Sequence, residues 1–67
     1  MQTVRIANQY VPASDVEAAA RRLVESGERL CLHNARLFAM GVAHNLTRPQ
    51  EDRLGRLVLA EAESIAA

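Results

Sequence analysis

The stretch Leu23-Val24-Glu25-Ser26-Gly27-Glu28-Arg29-Leu30 decides how this chain folds. Read locally, Ser26-Gly27 is a helix stop, because glycine enters the left-handed cap conformation without a Cβ penalty. Read over a longer range, the same stretch is a helix interior. Val16, Leu23, Leu30 and Leu37 recur every seven residues, and Val24, Cys31 and Phe38 form a companion column. Glu17, Arg21, Glu25 and Arg29 hold a four-residue charge series across Gly27, as a helix surface would place them. A break at Gly27 makes both patterns coincidences. Glycine within a helix costs only about 1 kcal/mol against alanine, and Glu28 and Arg29 offer no side-chain cap for a new start. The spacing therefore predicts one long helix over about residues 14–45, with Gly27 as the place for a bend.

The start of that helix is written in Ser14-Asp15-Val16-Glu17, a capping-box pattern preceded by Pro12. A second capping-box pattern, Thr47-Arg48-Pro49-Gln50, opens another helix over about residues 48–66. Its Leu54, Leu57, Val58, Ala62 and Ile65 mark one apolar face. Asn45-Leu46 leaves room only for a tight reversal, so the two helices are expected to run antiparallel. The expected fold is all-α: a long-short helical hairpin domain at residues 14–67, with residues 1–13 as a short extended N-terminal arm. Within the arm, Val4 and Ile6 alternate in Thr3-Val4-Arg5-Ile6-Ala7 as in a strand, which Asn8, Gln9 and Pro12 end.

At 1.5 Å per residue the first helix would be about 48 Å long and the second about 28 Å. The second covers only part of the first, and the uncovered apolar stripe reads as an interface. Val16, Ala20, Leu23, Leu30 and Leu37 are the residues expected to hold a homodimer. Size points the same way. A chain of 67 residues is one domain at most, and such a domain is marginal without disulfides, metal or a second copy. Cys31 is the single cysteine, so an intrachain disulfide is excluded.

Composition excludes several function classes. Arginines and acids balance at eight each, giving a net charge of zero. There is no apolar run long enough for a membrane span and no signal-peptide core, which with the lone free thiol suggests a cytoplasmic protein. Cys31 and His33 lie two apart and point in different directions on a helix, so no metal site is expected, and His44 stands eleven residues further on. His33 and Asn34 could set register in a helical interface. Ser14 is committed to capping, Ser26 and Ser64 lack a nearby base, and Gly27, Gly41 and Gly55 are isolated singles. No catalytic residues, cofactor or phosphate loop are expected, and the chain reads as a non-enzyme. Arg22, Arg29 and Arg36 form a loose basic line that could meet an acidic partner or phosphates, or serve as a solvated face.

The order strand, Pro12, helix over Val16–Ser26, Gly27, helix over Leu30–Val42 resembles the ribbon-helix-helix DNA-binding family. That resemblance implies two copies pairing their strands into a ribbon for the major groove, with Thr3, Arg5 and Ala7 outward. The sequence departs from the family in the four residues Asn8–Val11 before the proline and in having one basic outward residue. Two functions follow. The first is a small non-enzymatic regulator, of the kind common on phages and mobile elements, that inhibits or adapts another protein. Arg5 and Tyr10 are its expected partner contacts, because tyrosine is a favoured interface anchor and Tyr10 lies in a segment expected to have no core duty. The second is a dimeric DNA-binding repressor or antitoxin with Arg5 at the groove.

Overall fold

The computed structural model describes residues 3–6 and 9–67. The chain is an α/β fold: strands β1 (Thr3–Ile6) and β2 (Gln9–Pro12), then helices α1 (Ala13–Glu25), α2 (Leu32–Ala39) and α3 (Arg48–Ala66). This corrects the all-α long-short hairpin in two places. The N-terminal arm is a two-stranded β-hairpin, and the long helix is two helices.

The hairpin is antiparallel, with Thr3 opposite Pro12, Val4 opposite Val11, Arg5 opposite Tyr10 and Ile6 opposite Gln9. Strand side chains alternate between faces. Val4, Ile6, Val11 and Gln9 therefore share the inner face, where Ile6 and Val11 are 0% and 2% exposed against the helices. Thr3, Arg5 and Tyr10 share the outer face with Pro12. The strand pairs within its own chain, whereas the ribbon-helix-helix resemblance implied pairing between two copies. Ala7, expected outward in that ribbon, lies outside the described residues. Pro12 ends β2 and is also the N-cap of α1, at φ −61° and ψ 142°. The helix thus begins at Ala13, and Ser14 sits inside its first turn instead of capping it.

The break after α1 is built by two residues. Gly27 takes φ +75°, the left-handed conformation that favours glycine. Ser26 Oγ donates to the Leu23 carbonyl at 2.6 Å and accepts the Glu28 N–H at 3.3 Å. The backbone N–H groups of Ser26 and Gly27 close on the carbonyls of Arg22 and Val24. Beyond the break, Asn34 Nδ2 donates to the Arg29 carbonyl at 2.9 Å and fastens the connection to the first turn of α2. No Ser, Thr or Asp is needed at the start of α2, whose N-cap is Cys31.

The in-phase column loses its meaning at Gly27. Val16 and Leu23 are 7% and 0% exposed, Leu30 is half-buried, and Leu37 is 53% exposed. The face that α2 buries is Ala35 and Ala39. The charge series divides as well: Glu17 and Arg21 pair at 2.8 Å on exposed α1, whereas Arg29 stands in the connection.

Helix α3 follows its sequence signals closely. Thr47 is the N-cap, Gln50 Oε1 accepts the Thr47 N–H at 2.8 Å, and Pro49 lies in the first turn. Leu54, Val58 and Ala62 are fully buried, with Leu57 and Ile65 half-buried beside them. Both α1 and α2 pack on α3, and the hairpin closes over α1. The result is self-sufficient in compactness. The accessible surface is 4416 Å², against about 4200 Å² for a folded monomer of this mass. The radius of gyration is 10.7 Å, against about 10.9 Å for a domain of this length. The core that the sequence seemed to require from a second copy is supplied by β1, β2 and the fold-back of α2.

Candidate docking surfaces

The five residues expected at a dimer seam scatter. Val16, Ala20 and Leu23 lie in the core of the chain itself, at 7%, 0% and 0% exposure. Only Leu37 stands on the surface. The uncovered helix half on which a second copy would dock does not exist, because the hairpin and α3 cover α1.

Arg5 and Tyr10, by contrast, come together. They are direct cross-strand partners on the outer face of the hairpin. The Arg5 guanidinium carbon sits 5.8 Å from the centroid of the Tyr10 ring, within reach of a cation–π attraction. Tyr10 is 71% exposed, the most exposed large apolar side chain among the described residues. Register produces this pair. Gln9 and Val11 point inward, so Tyr10 between them must point outward.

A second surface is a cleft of about 160 Å³ between the end of α2, the connection to α3 and the first turns of α3. Ala39, Ala43, Leu46 and Leu54 give it apolar walls, and the 58%-exposed Met40 stands at its side. His44, Asn45, Arg36 and Glu51 make the lining polar elsewhere. The connection is held in shape by Gln9, whose side-chain amide brackets the backbone of one residue, His44. Gln9 Oε1 accepts the His44 N–H at 3.1 Å, and Gln9 Nε2 donates to the His44 carbonyl. Asn45 follows with φ +57°, a left-handed conformation that Asn tolerates better than most residues. The structure thus uses the backbone of His44 to join the hairpin to the cleft wall, and leaves its ring exposed.

Arg36 lies across α3 and breaks the expected basic line. Its Nη2 donates to Glu51 Oε2 at 3.2 Å, and its Nε lies 3.1 Å from Asp52 Oδ1 as an ion pair without hydrogen-bond alignment. Gly55 makes this path possible. A Cβ there would stand 2.6 Å from Arg36 Cγ and 3.2 Å from Leu32 Cδ1. Sequence reasoning missed Gly55 as a contact residue. The available signal was its place beside Leu54 and Val58 on the apolar face, where a missing side chain marks a close helix approach.

The remaining candidates separate. His33 is exposed on α2, Asn34 serves the α1–α2 connection, and Cys31 is half-buried and reduced. Among the described residues no three His, Cys, Asp or Glu side chains gather as a metal site. No helix among them is long and apolar enough to cross a membrane. Compared with family models, with curated proteins and with solved structures, the chain has no match.

Proposed function

We propose that this chain acts by binding and not by catalysis, as a small regulator that inhibits or adapts another protein through the outer face of its β-hairpin. The observation that carries the reading is Tyr10, 71% exposed and stacked with its cross-strand partner Arg5. A large aromatic ring with an apolar body and a polar tip is a costly thing to leave in water, and is the commonest kind of interface anchor. Arg5 supplies a charge whose position is fixed by strand register, which favours a chosen orientation of the partner. The lone free thiol of Cys31 supports a cytoplasmic setting, where thiols stay reduced.

Side-by-side capture from host lysate tests the reading, with wild type, Tyr10→Ala, Arg5→Ala and the exposed α3 control Glu63→Gln immobilised at equal density. All four are expected to melt together, because none of these side chains is in the core. A protein retained by wild type and Glu63→Gln is expected to be lost from Tyr10→Ala, with affinity reduced by more than about tenfold. Equal retention by Tyr10→Ala refutes the reading. Tight, salt-dependent binding of duplex DNA that disappears in Arg5→Ala replaces the protein partner with a nucleic acid.

A further inference from the structure

The β-hairpin has an open edge. β2 is the strand that meets α1, and β1 lies outside it with no further strand beyond among the described residues. Antiparallel strands alternate between pairs that exchange backbone hydrogen bonds and pairs that do not. Pro12 has no N–H, so Thr3 and Pro12 form a pair of the second kind. Val4–Val11 and Ile6–Gln9 then exchange the bonds, and Arg5–Tyr10 does not. The N–H and C=O groups of Thr3 and Arg5 therefore point away from β2. Both residues are exposed, and among the described residues neither makes a backbone bond outside the hairpin. The far edge of β2 is blunted, because Pro12 offers it no donor and α1 begins at Ala13. The place for an added strand is β1.

What β1 accepts is set by its own residues. Residues directly opposite in an antiparallel pair lie on the same face. An added strand must put an apolar residue opposite Val4, which is half-buried at the rim of the core. Opposite the outward Arg5 it needs a residue without positive charge. β1 meets both conditions when it runs antiparallel to a copy of itself about Val4. Val4 then faces Val4, and Arg5 of each copy faces Thr3 of the other. The open groups are the ones used. Thr3 and Arg5 exchange N–H···O bonds across the seam, and a strand paired with its own copy repeats the exchange by symmetry. Val4 stands at the non-bonded site, where Cα atoms approach to about 4.5 Å and side chains pack closest. The neighbouring register, about Arg5, sets the two guanidinium groups against each other. The chain has zero net charge, so copies approach without overall repulsion.

We propose that two copies of this chain join edge to edge through β1, making one antiparallel sheet of two hairpins with Val4 at its centre. The seam stands apart from the docking of another protein, because it uses the backbone edge of β1 and leaves Tyr10 exposed on β2. It places the Arg5–Tyr10 pairs of both copies on one continuous outer face. Each copy keeps its own core. Because β1 is only four residues long, the association is weak and concentration-dependent.

Sedimentation equilibrium of the full chain from micromolar to millimolar concentration tests it, together with NMR on mixed isotope-labelled and unlabelled chains. The expected result is a monomer–dimer equilibrium in which the Thr3 and Arg5 amides gain exchange protection as the dimer forms. Val4 of a labelled chain is expected to contact Val4 of an unlabelled one. Thr3→Pro removes an outward donor and no bond of the hairpin, and is expected to weaken the dimer about fivefold or more, with the helical circular dichroism unchanged. Thr3→Glu sets a carboxylate opposite Arg5 of the other copy, twice by symmetry, and is expected to tighten the dimer by about two- to thirtyfold. Tyr10→Ala is expected to leave it unchanged, so a captured protein lost in that variant reports on the outer face alone. A chain that stays monomeric throughout overturns the proposal. So does a dimer without the Val4–Val4 contact, one that a folded Thr3→Pro chain still forms undiminished, one that Thr3→Glu fails to tighten, or one that depends on Tyr10.

Discussion

Replacing Gly55 with alanine opposes two effects that can be weighed against each other. Gly55 is a buried position inside α3, and alanine is the better helix former by about 1 kcal/mol. On propensity alone the substitution stabilises. The new methyl, however, would meet Arg36 Cγ at 2.6 Å and Arg36 Cα at 3.4 Å. Leu32 Cδ1, at 3.2 Å, is a terminal methyl and can yield by a few tenths of an ångström. Arg36 Cγ cannot yield so cheaply. It is the base of a side chain whose far end is held by Glu51 and Asp52, and its Cα belongs to α2. Either α2 moves off α3 or the Arg36 side chain swings out and leaves both carboxylates.

Overpacking of this kind costs about 1–3 kcal/mol. Loss of the ion pairs adds about 0–1 kcal/mol, since all three side chains keep partial access to water. Subtracting the propensity gain of about 1 kcal/mol leaves a destabilisation of about 0–3 kcal/mol, centred at about 1.5 kcal/mol. For a domain of this length the central value lowers Tm by about 6–12 °C. Thermal unfolding followed by circular dichroism reads the shift directly. The same substitution in an Arg36→Ala background isolates the clash, because the atom in the way is then absent. There Gly55→Ala is expected to be neutral or stabilising, which makes the coupling between the two sites large. A higher Tm for Gly55→Ala in the wild-type background would show that Arg36 steps aside without cost, and would refute the reasoning.

Gly27→Ala separates a helix break from a helix interior. Nothing lies within 4 Å of a Cβ at Gly27, so the only expense is the left-handed backbone, about 1–2 kcal/mol. A lower Tm is expected; a rise of the size that a mid-helix alanine brings would contradict the break. Leu23→Ala and Leu37→Ala separate core from surface along the former heptad column. Leu23, fully buried, is expected to lose about 2–5 kcal/mol in urea unfolding. Leu37, half in solvent, is expected to change stability by no more than about 0.5 kcal/mol. Equal losses at the two positions would return Leu37 to the core.

What was legible in the sequence differs by element, and the difference has a physical cause. In α3 every signal is local and in agreement. Thr47, Pro49 and Gln50 set the start, and Leu54, Val58 and Ala62 set the face. In the first half of the chain the signals compete. The register of Arg5 and Tyr10 could not be read, because β2 holds one inward apolar residue, Val11, and ends at a proline. Four residues of that composition look like a linker. They become a strand because β1 provides a ladder and Ile6 shares their buried face. Proline is tolerated at the strand end because its φ of −61° suits both the last strand residue and the cap of α1. Tyr10 was singled out for lying in a segment without core duty, whereas Ile6 and Val11 of that segment are core and Tyr10 is exposed through its register; only the pairing shows that Arg5 accompanies it.

Gly27 is the more instructive case, since both of its readings were present and the weaker-looking one describes the fold. Seven-residue spacing indicates only which positions would share a face if the helix continued. It carries no free energy until something packs against that face. The stop at Ser26-Gly27 acts locally: a left-handed glycine and a serine hydroxyl satisfy the helix end before any tertiary contact forms. Once α1 ends there, α2 folds back onto α3, and its small residues Ala35 and Ala39 enter the core in place of Leu37. Small residues permit the close approach at Gly55, and that approach lays Arg36 across α3 toward Glu51. The cleft lined by Arg36, Met40 and Glu51 is therefore a consequence of the break, as is the exposure of Met40 at its side. A continuous helix would have consumed the same residues in a seam between copies. The break leaves the chain with its own core and keeps the outer hairpin face and the cleft at its surface.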